Sequence, residues 1–190
     1  MTVLTMMPAD VDLDVHVEQQ TDLAGGIAAA VFDSPARIYR YLLTRIWDPT
    51  VPPAVFVMLN PSTADALEDD PTIRRLAGAN GFARRMGAGG LVVVNLFALC
   101  STDPRVLRHH PDPVGRLNDV FIRQATDQAT TVVAAWGAAG VEHGRGARVA
   151  DTLRRRSHVL RCLGQTSTGQ PRHPLYLPGD AALEAYEAAS

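Results

Sequence analysis

Four short, almost continuously apolar runs constrain the fold of this chain more than any other feature. They lie at residues 54–59, 91–97, 131–137 and 159–163. Each run has the length of a strand, and a strand that is apolar at every position is covered on both faces of its sheet. Segments of helical composition lie between and after them, at residues 72–86, 117–129 and 145–157. Strands that alternate with helices in this way predict a parallel sheet with helices on both faces.

We therefore predict an α/β fold with three layers, α/β/α, around a central, mostly parallel sheet of four or five strands. Residues 37–47 alternate polar and apolar positions, which predicts an antiparallel edge strand. Residues 1–35 mix acids with glycines and predict an irregular lead-in or an edge hairpin. The chain shows no internal repeat or linker. Its 190 residues therefore predict one domain, with the core at residues 36–178.

The composition, 46% hydrophobic and 20% charged, is that of an ordinary globular protein. No apolar run reaches the roughly 18 to 20 residues that span a bilayer. The first twenty residues carry acids where a secretion signal needs a basic head. We therefore expect a cytoplasmic protein without membrane contact. The net charge of −2 gives no overall attraction to nucleic acid, although a local basic patch could supply one.

The composition also indicates that the chain needs no cofactor or metal. Cys100 and Cys162 each follow an apolar run, which favours two buried thiols over a catalytic or bridged pair. An iron–sulfur cluster would lack its ligands. All basic side chains are arginine, which excludes Schiff-base chemistry and a Walker-type lysine.

Most of the unusual polar residues follow the apolar runs directly. In open parallel sheets, ligands bind beyond the carboxyl ends of the strands, because the loops converge there. The loops concerned are residues 60–70, 95–103, 136–137 and 164–176. We expect these four loops to form the binding site.

Asn60 opens the first of these loops. Its side chain offers one acceptor and two donors, which can hold a water or a carbonyl group in a fixed orientation. A turn residue before Pro61 is an equally good interpretation. Ser62 and Thr63 could bind an anion through hydroxyl and backbone N–H groups, or could only cap the next turn.

Four carboxylates within six positions follow, at Asp65, Glu68, Asp69 and Asp70. They are enough for a divalent ion or a general base, although such runs are more often solvated turns. Arg74, just inside the next predicted helix, could pair with them or meet a phosphate.

Asn95 lies in apolar surroundings at the end of the second run, and a buried amide needs hydrogen-bond partners. The edge of a nucleobase would satisfy it, and Phe97 could stack on the base. A core amide satisfied within the protein is the alternative. In the last loop, Pro171 and Pro174 restrict the backbone around His173. Such rigidity suits a catalytic donor near neutral pH, or a structural histidine.

Six segments together resemble a bacterial and phage family known as domain of unknown function 1643. They are residues 39–41, 59–65, 69–74, 94–97, 135–137 and 171–176. The resemblance covers nearly the whole chain.

The order of the loops also resembles, more distantly, the uracil-DNA glycosylase superfamily. That resemblance implies a water-activating motif at Asn60-Pro61, a base-reading amide at Asn95 and a leaving-group loop at His173-Pro174. Leu59 stands where that superfamily usually has glycine.

We predict a hydrolase of N-glycosidic bonds that acts on a nucleoside, a nucleotide, or a single-stranded or flipped-out nucleic-acid base. Asn95 would hold the base, Asn60 or Asp65 would orient water, and His173 would stabilise the departing base. The other predicted ligand-binding residues are Pro61, Ser62, Thr63, Phe97, Trp136, Gly137, Arg172 and Tyr176. Two alternatives remain at this point: a nucleotide or nucleic-acid binding module without catalysis, and a metal-dependent phosphohydrolase built on the acidic run.

Overall fold

The four apolar runs form four adjacent strands in the middle of one sheet. The structure, a computed structural model, describes Met7 and residues 14–187. Within these residues the strands are β1 (His16–Thr21), β2 (Ile27–Phe32), β3 (Arg40–Ile46), β4 (Ala54–Met58), β5 (Gly90–Asn95), β6 (Thr131–Ala134), β7 (Leu160–Cys162) and β8 (Glu184–Ala185). Their order across the sheet is β1-β2-β3-β5-β4-β6-β7-β8.

The sheet is parallel only at its centre. The pairs β5/β4, β4/β6 and β6/β7 are parallel, whereas β1/β2, β2/β3, β3/β5 and β7/β8 are antiparallel. The fold is therefore mixed α/β with eight strands. The predicted sheet of four or five mostly parallel strands describes only the central part, because the segments before β4 add three antiparallel strands.

The prediction that residues 37–47 form an edge strand is wrong. β3 lies between β2 and β5, since β1 and β2 form a hairpin that pairs with β3 through β2. The hairpin itself was one of the two structures expected for residues 1–35. Residues 1–6 and 8–13 of that segment lie outside the described residues.

Helices cover both faces of the sheet. They are α1 (Pro71–Ala77), α2 (Phe82–Arg85), α3 (Asn118–Asp127) and α4 (Arg145–Arg155). Short 3₁₀ helices occur at Pro104–Arg108, Ala138–Gly144 and Pro174–Tyr176. α1 and α2 pack on one face of the central strands, and α3 and α4 pack on the other. No helix among the described residues is long and apolar enough to cross a membrane.

The helix predicted at residues 72–86 is divided into α1 and α2. Asp70 caps α1 by accepting a hydrogen bond from the backbone N–H of Ile73 over 2.8 Å, and Pro71 occupies the first turn. α1 ends at Gly78, whose N–H still bonds to the Arg74 carbonyl, and α2 starts after Gly81. The cap on α1 fixes Asp70 at the carboxyl edge of the sheet.

The pairing of β2 with β3 contains an irregularity that decides where Arg40 lies. Leu42 pairs with Val31 and Arg40 pairs with Phe32, so Tyr41 is an extra residue on β3. A bulge of this kind redirects the neighbouring side chains. Tyr41 and Leu42 both join the apolar cluster beneath α3 and α4. Arg40 is thereby placed on the other face, where α1 lies.

Candidate functional site

The carboxyl ends of β4, β5 and β6 open into a cavity of about 550 Å³. This volume lies within the range of small-molecule sites. Of the residues singled out from the sequence, those that line the cavity are Asn60, Ser62, Asp70, Asn95, Trp136, Gly137, Arg172, His173 and Tyr176. Loops from four separate parts of the chain therefore meet where the sequence predicted that they would.

Asn95 closes β5 and is only 1% exposed. Its side-chain Nδ2 and Oδ1 are both buried, and neither has a hydrogen-bond partner among the described residues. Its backbone carbonyl accepts a hydrogen bond from Nδ2 of Asn118 over 2.9 Å, which holds the strand end in place. An unpaired buried amide is costly. A ligand or water in the cavity is what can satisfy this one.

Arg40 lines the cavity as well, and the sequence reasoning missed it. The side chain is 3% exposed, its Nη1 donates to the carbonyl of Ala64, and its Nε has no partner among the described residues. Burial lowers the pKa of Arg40 to about 10, so that the guanidinium is still charged at neutral pH. The sequence signal was an arginine inside an otherwise apolar part of a strand, between Tyr39 and Tyr41.

His173 is half-buried on the wall formed by the last loop. The backbone N–H of Leu175 donates to its Nδ1 over 3.3 Å, so Nδ1 is the acceptor and Nε2 carries the proton in the neutral ring. Burial lowers the pKa of His173, and the negative charge of Asp70 opposes this shift more weakly. The cavity therefore contains a neutral imidazole with one N–H donor.

Asn60 is tied to the neighbouring loop. Its Nδ2 donates to the carbonyl oxygens of Pro61 at 3.0 Å, Leu99 at 3.4 Å and Ser101 at 2.8 Å. These bonds fix the amide plane and leave Oδ1 as the acceptor. Asn60 thus has a structural role in the loop, as one interpretation of the sequence had it, and the residue also lines the cavity.

Gly137 permits the close approach of the last loop. Its φ of 73° lies in the left-handed region, and its N–H donates to the carbonyl of Pro171 over 2.9 Å. A Cβ at this position would lie 3.4 Å from Cβ of His173. Before it, Trp136 is 1% exposed and its Nε1 donates to Oε1 of Gln170 over 3.1 Å. Both residues position the histidine loop against the end of β6.

Tyr176 and Arg172 line the solvent-exposed part of the cavity. Tyr176 is 76% exposed, and the centroid of its ring lies 5.6 Å from that of His173. Arg172 and Ser62 are also exposed. None of the described residues forms an ion pair with Arg172. These side chains are available to a ligand that enters from solvent.

The acidic run does not form one group of carboxylates. Asp65 pairs with Arg37 at 3.0 Å and accepts from two backbone N–H groups of its own turn, and these contacts lower its pKa although burial opposes them. Asp69 pairs with Arg45 at 2.7 Å. Of the acidic side chains, Asp70 is the one that lines the cavity. The structure therefore places Asp65 and Asp69 outside the cavity, and no three metal-ligating side chains cluster among the described residues.

Four other predicted residues also lie outside the cavity lining. Phe97 is fully buried in the cluster beneath α3 and α4, where it packs edge-on against His143. It cannot stack on a base that Asn95 holds. Pro61 is buried, Thr63 is exposed, and Arg74 is exposed and donates to the carbonyl of Asp69. Tyr176 is the other aromatic ring expected at the ligand, and it does line the cavity.

A model of the family described as "Protein of unknown function (DUF1643)" matches residues 40–175. That range contains every residue that lines the cavity except Tyr176. Neither the comparison with curated proteins nor the comparison with solved structures gives a match.

Proposed function

The chain belongs to the DUF1643 family, and we propose that its cavity binds a nucleobase and hydrolyses the N-glycosidic bond between that base and its sugar. The ligand would be a nucleoside, a nucleotide, or a single-stranded or flipped-out base of a nucleic acid. The observation that carries this proposal is the buried, unpaired amide of Asn95 on the cavity wall.

Asn95 presents a donor and an acceptor side by side. A phosphate or a carboxylate offers only acceptors and would leave Oδ1 of Asn95 unpaired. The edge of a nucleobase offers both kinds of group at the right spacing, and paired hydrogen bonds between an amide and a base are a common form of recognition. The chemistry of this one side chain therefore favours a base over the other polar ligands of the cavity's size.

The catalytic roles follow from the same geometry. The departing base gains negative charge, and the Nε2–H of His173 is a neutral donor that can stabilise it. The Oδ1 of Asn60 can accept a hydrogen bond from the attacking water, because backbone carbonyls already hold its Nδ2. Asp70 would stabilise the positive charge that develops on the sugar. Asp65 has no place in this mechanism, since its carboxylate is engaged elsewhere.

We also propose that the fold is the three-layer arrangement of the uracil-DNA glycosylase superfamily. Support comes from the four parallel strands at the centre, the helices on both faces, and the chain order of Asn60, Asn95, Gly137 and His173 around the cavity. The antiparallel strands β1 to β3 would then be an extension of that arrangement.

The test is release of free base from a panel of nucleosides, mononucleotides and oligonucleotides, followed by chromatography. We expect release by the wild-type protein and loss of release in Asn95→Leu and His173→Gln. Thr44→Val is the matched control. Thr44 is buried and its Oγ1 bonds to none of the residues that the structure describes, yet it lies outside the cavity lining. No base release from any member of the panel would count against hydrolysis.

A binding module without catalysis is the second candidate. It is favoured by the use of the Asn60 amide nitrogen in three backbone contacts and by Leu59 at a position where the glycosylases usually have glycine. In that case a ligand binds without turnover, Asn95→Leu abolishes binding, and Asn60→Ala leaves binding almost unchanged. The acidic run does not favour the phosphohydrolase alternative, because Asp65, Asp69 and Asp70 engage different partners.

A further inference from the structure

The cavity wall contains a buried cation that the proposed mechanism does not use. Arg40 is 3% exposed and lies on β3, next to the strand that ends in Asn95. Within the described part of the chain, it forms no ion pair. Asp70 and Asp65 act on it only through longer-range electrostatics. Two other acids of the same loop are already paired, Asp65 with Arg37 and Asp69 with Arg45.

A buried charge without a counter-ion is unfavourable, and proteins normally provide a partner for it. Arg40 keeps its charge at neutral pH, since its pKa falls only to about 10. Because Arg40 lines the cavity, a counter-ion can reach it from there. An anion in the cavity would supply it, whereas a neutral nucleoside would not.

The free part of the guanidinium fits an oxyanion. Nη1 donates to the carbonyl of Ala64, and Nε is buried with no hydrogen-bond partner in the described part of the chain. Nε–H and the adjacent Nη2–H form one side of the planar fork, which can donate two parallel hydrogen bonds to two oxygens of one phosphate or carboxylate. A single carbonyl oxygen would use only half of this arrangement.

The charges of the remaining wall favour an anion too. Arg40 and Arg172 are cationic, Asp70 is anionic, and His173 is neutral because burial lowers its pKa. One positive charge is left over. The cavity, at about 550 Å³, has room for a base on Asn95 together with a second polar group on Arg40.

We propose that the ligand carries an oxyanion, the phosphate of a nucleoside monophosphate, and that Arg40 is the residue that binds it. This inference rests on the proposed function, since it takes the group on Asn95 to be a nucleobase. The bulge at Tyr41 serves the site because it places Arg40 on the cavity face of the sheet.

The test compares the affinity of the protein for a nucleoside and for its 5′-monophosphate by calorimetry, with the bases screened in turn. We expect the wild-type protein to bind the monophosphate about tenfold tighter or more, because charge-assisted hydrogen bonds are strong. Arg40→Gln should reduce the affinity for the monophosphate to that for the nucleoside. Arg40→Lys keeps the positive charge but lacks the pair of parallel N–H donors. Its affinity for the monophosphate should lie between those of the wild-type protein and of Arg40→Gln.

Arg145→Gln is the matched control. Arg145 is also buried, at 6% exposure, but it lies in α4 and donates to the carbonyl of Leu96 and to Asp119. Its replacement should lower the stability without changing the affinity ratio. The wild-type protein is also titrated with ribose 5-phosphate, which should compete with the nucleotide. That experiment does not depend on the folding of any variant.

The outcomes separate this inference from the proposed function. Equal affinities for nucleoside and monophosphate, both lost in Asn95→Leu, would overturn the role of Arg40 and leave base recognition intact. If phosphate binding depends on Arg40 but not on Asn95, the oxyanion site at Arg40 is supported and nucleobase recognition by Asn95 is contradicted. Tighter binding of a single-stranded oligonucleotide than of any monophosphate would support the oxyanion and overturn its assignment to a free nucleotide.

Discussion

The backbone N–H of Leu175 donates a hydrogen bond to Nδ1 of His173 over 3.3 Å. The bond belongs to the 3₁₀ helix Pro174–Tyr176, in which His173 is the capping residue. A ring nitrogen that accepts a hydrogen bond carries no proton, so the neutral ring is protonated on Nε2. The backbone of the loop thus selects the tautomer that can donate to a ligand.

We expect His173 to titrate below its ordinary pKa of 6.5, because burial penalises the charged ring. The unfolded chain then binds a proton more readily than the folded protein. The contribution to stability is full above pH 6.5 and is lost as the pH falls through the pKa of the folded state. NMR titration of the ring measures the pKa. Urea unfolding between about pH 5 and pH 8 measures how the free energy of unfolding changes with pH.

His173→Gln should remove that part of the pH dependence. His109→Gln serves as the control, since His109 is exposed and far along the chain from the last loop. A pKa of His173 at or above 6.5 would contradict the prediction, and the ring would then act as a cation at the site.

Replacement by leucine should affect the stability of the protein differently at Asn95 and at Asn118. The Asn95 side chain has no hydrogen-bond partner among the described residues. We therefore expect Asn95→Leu to leave the free energy of unfolding unchanged or to raise it by about 1 kcal/mol, while abolishing ligand binding. Nδ2 of Asn118 donates to the carbonyls of Asn95 and Leu96. Asn118→Leu should therefore lower the free energy of unfolding by about 1 to 3 kcal/mol. Urea unfolding without ligand compares them. A large loss in Asn95→Leu would mean that the amide has a partner in the protein.

The two glycines Gly137 and Gly87 have the same φ of 73°. Alanine at either position strains the left-handed backbone, at a cost of about 1 kcal/mol. A Cβ at Gly87 would meet no described atom within 4 Å, whereas one at Gly137 would lie 3.4 Å from Cβ of His173. We therefore expect similar losses of stability in both variants, with weaker ligand binding only in Gly137→Ala. Calorimetric titration with the ligand distinguishes them, and equal affinities would show that the approach to His173 is unimportant.

Much of this fold was predictable because strands that are buried on both faces have continuously apolar sequences. The centres of β4 to β7 and the helices α3 and α4 lie where hydrophobicity placed them, within a few residues. The polar ends of those strands could be predicted to converge for the same reason. Asn60, Asn95, Gly137 and His173 meet at the cavity because they follow parallel strands.

The face on which a side chain lies was harder to predict. Strict alternation from Leu43 would place Arg40 on the face opposite to the cavity, and the bulge at Tyr41 reverses this. A bulge depends on pairing with another strand, which a single strand's sequence does not contain. Phe97 shows the same difficulty, since the chain leaves the regular strand at Asn95 and the ring joins the other apolar cluster.

The acidic run illustrates a long-range effect. Spacing along the chain suggested one cluster, but Arg37 and Arg45 come from a different part of the sequence and each engages one carboxylate. Which acid remains at the cavity is therefore decided by the partners of its neighbours. The local pattern around Asp70, a capping residue before Pro71, predicts the start of a helix but does not predict that Asp70 lines the cavity.

Substitutions of Asn60 and of Asp65 should show which of the two residues orients the attacking water, since the sequence alone allowed either. Asp65→Asn should leave turnover per folded molecule unchanged, because Asp65 lies outside the cavity and pairs with Arg37. It should lower the stability by about 1 kcal/mol, since the pair is only partly buried and asparagine keeps an oxygen for the backbone N–H groups. Asn60→Ala should reduce kcat by about a hundredfold if Oδ1 positions the water, a typical effect for one positioned polar group.

Asn60→Asp is the informative companion variant. A carboxylate accepts but does not donate, so it would lose the bonds to the carbonyls of Pro61 and Ser101 while keeping an oxygen toward the cavity. We expect lower stability with partial retention of kcat, measured as base release at matched concentrations of folded protein. A large loss of kcat in Asp65→Asn, with Asn60→Ala unaffected, would reverse the assignment. It would also require the 60–70 loop to move Asp65 into the cavity when ligand binds.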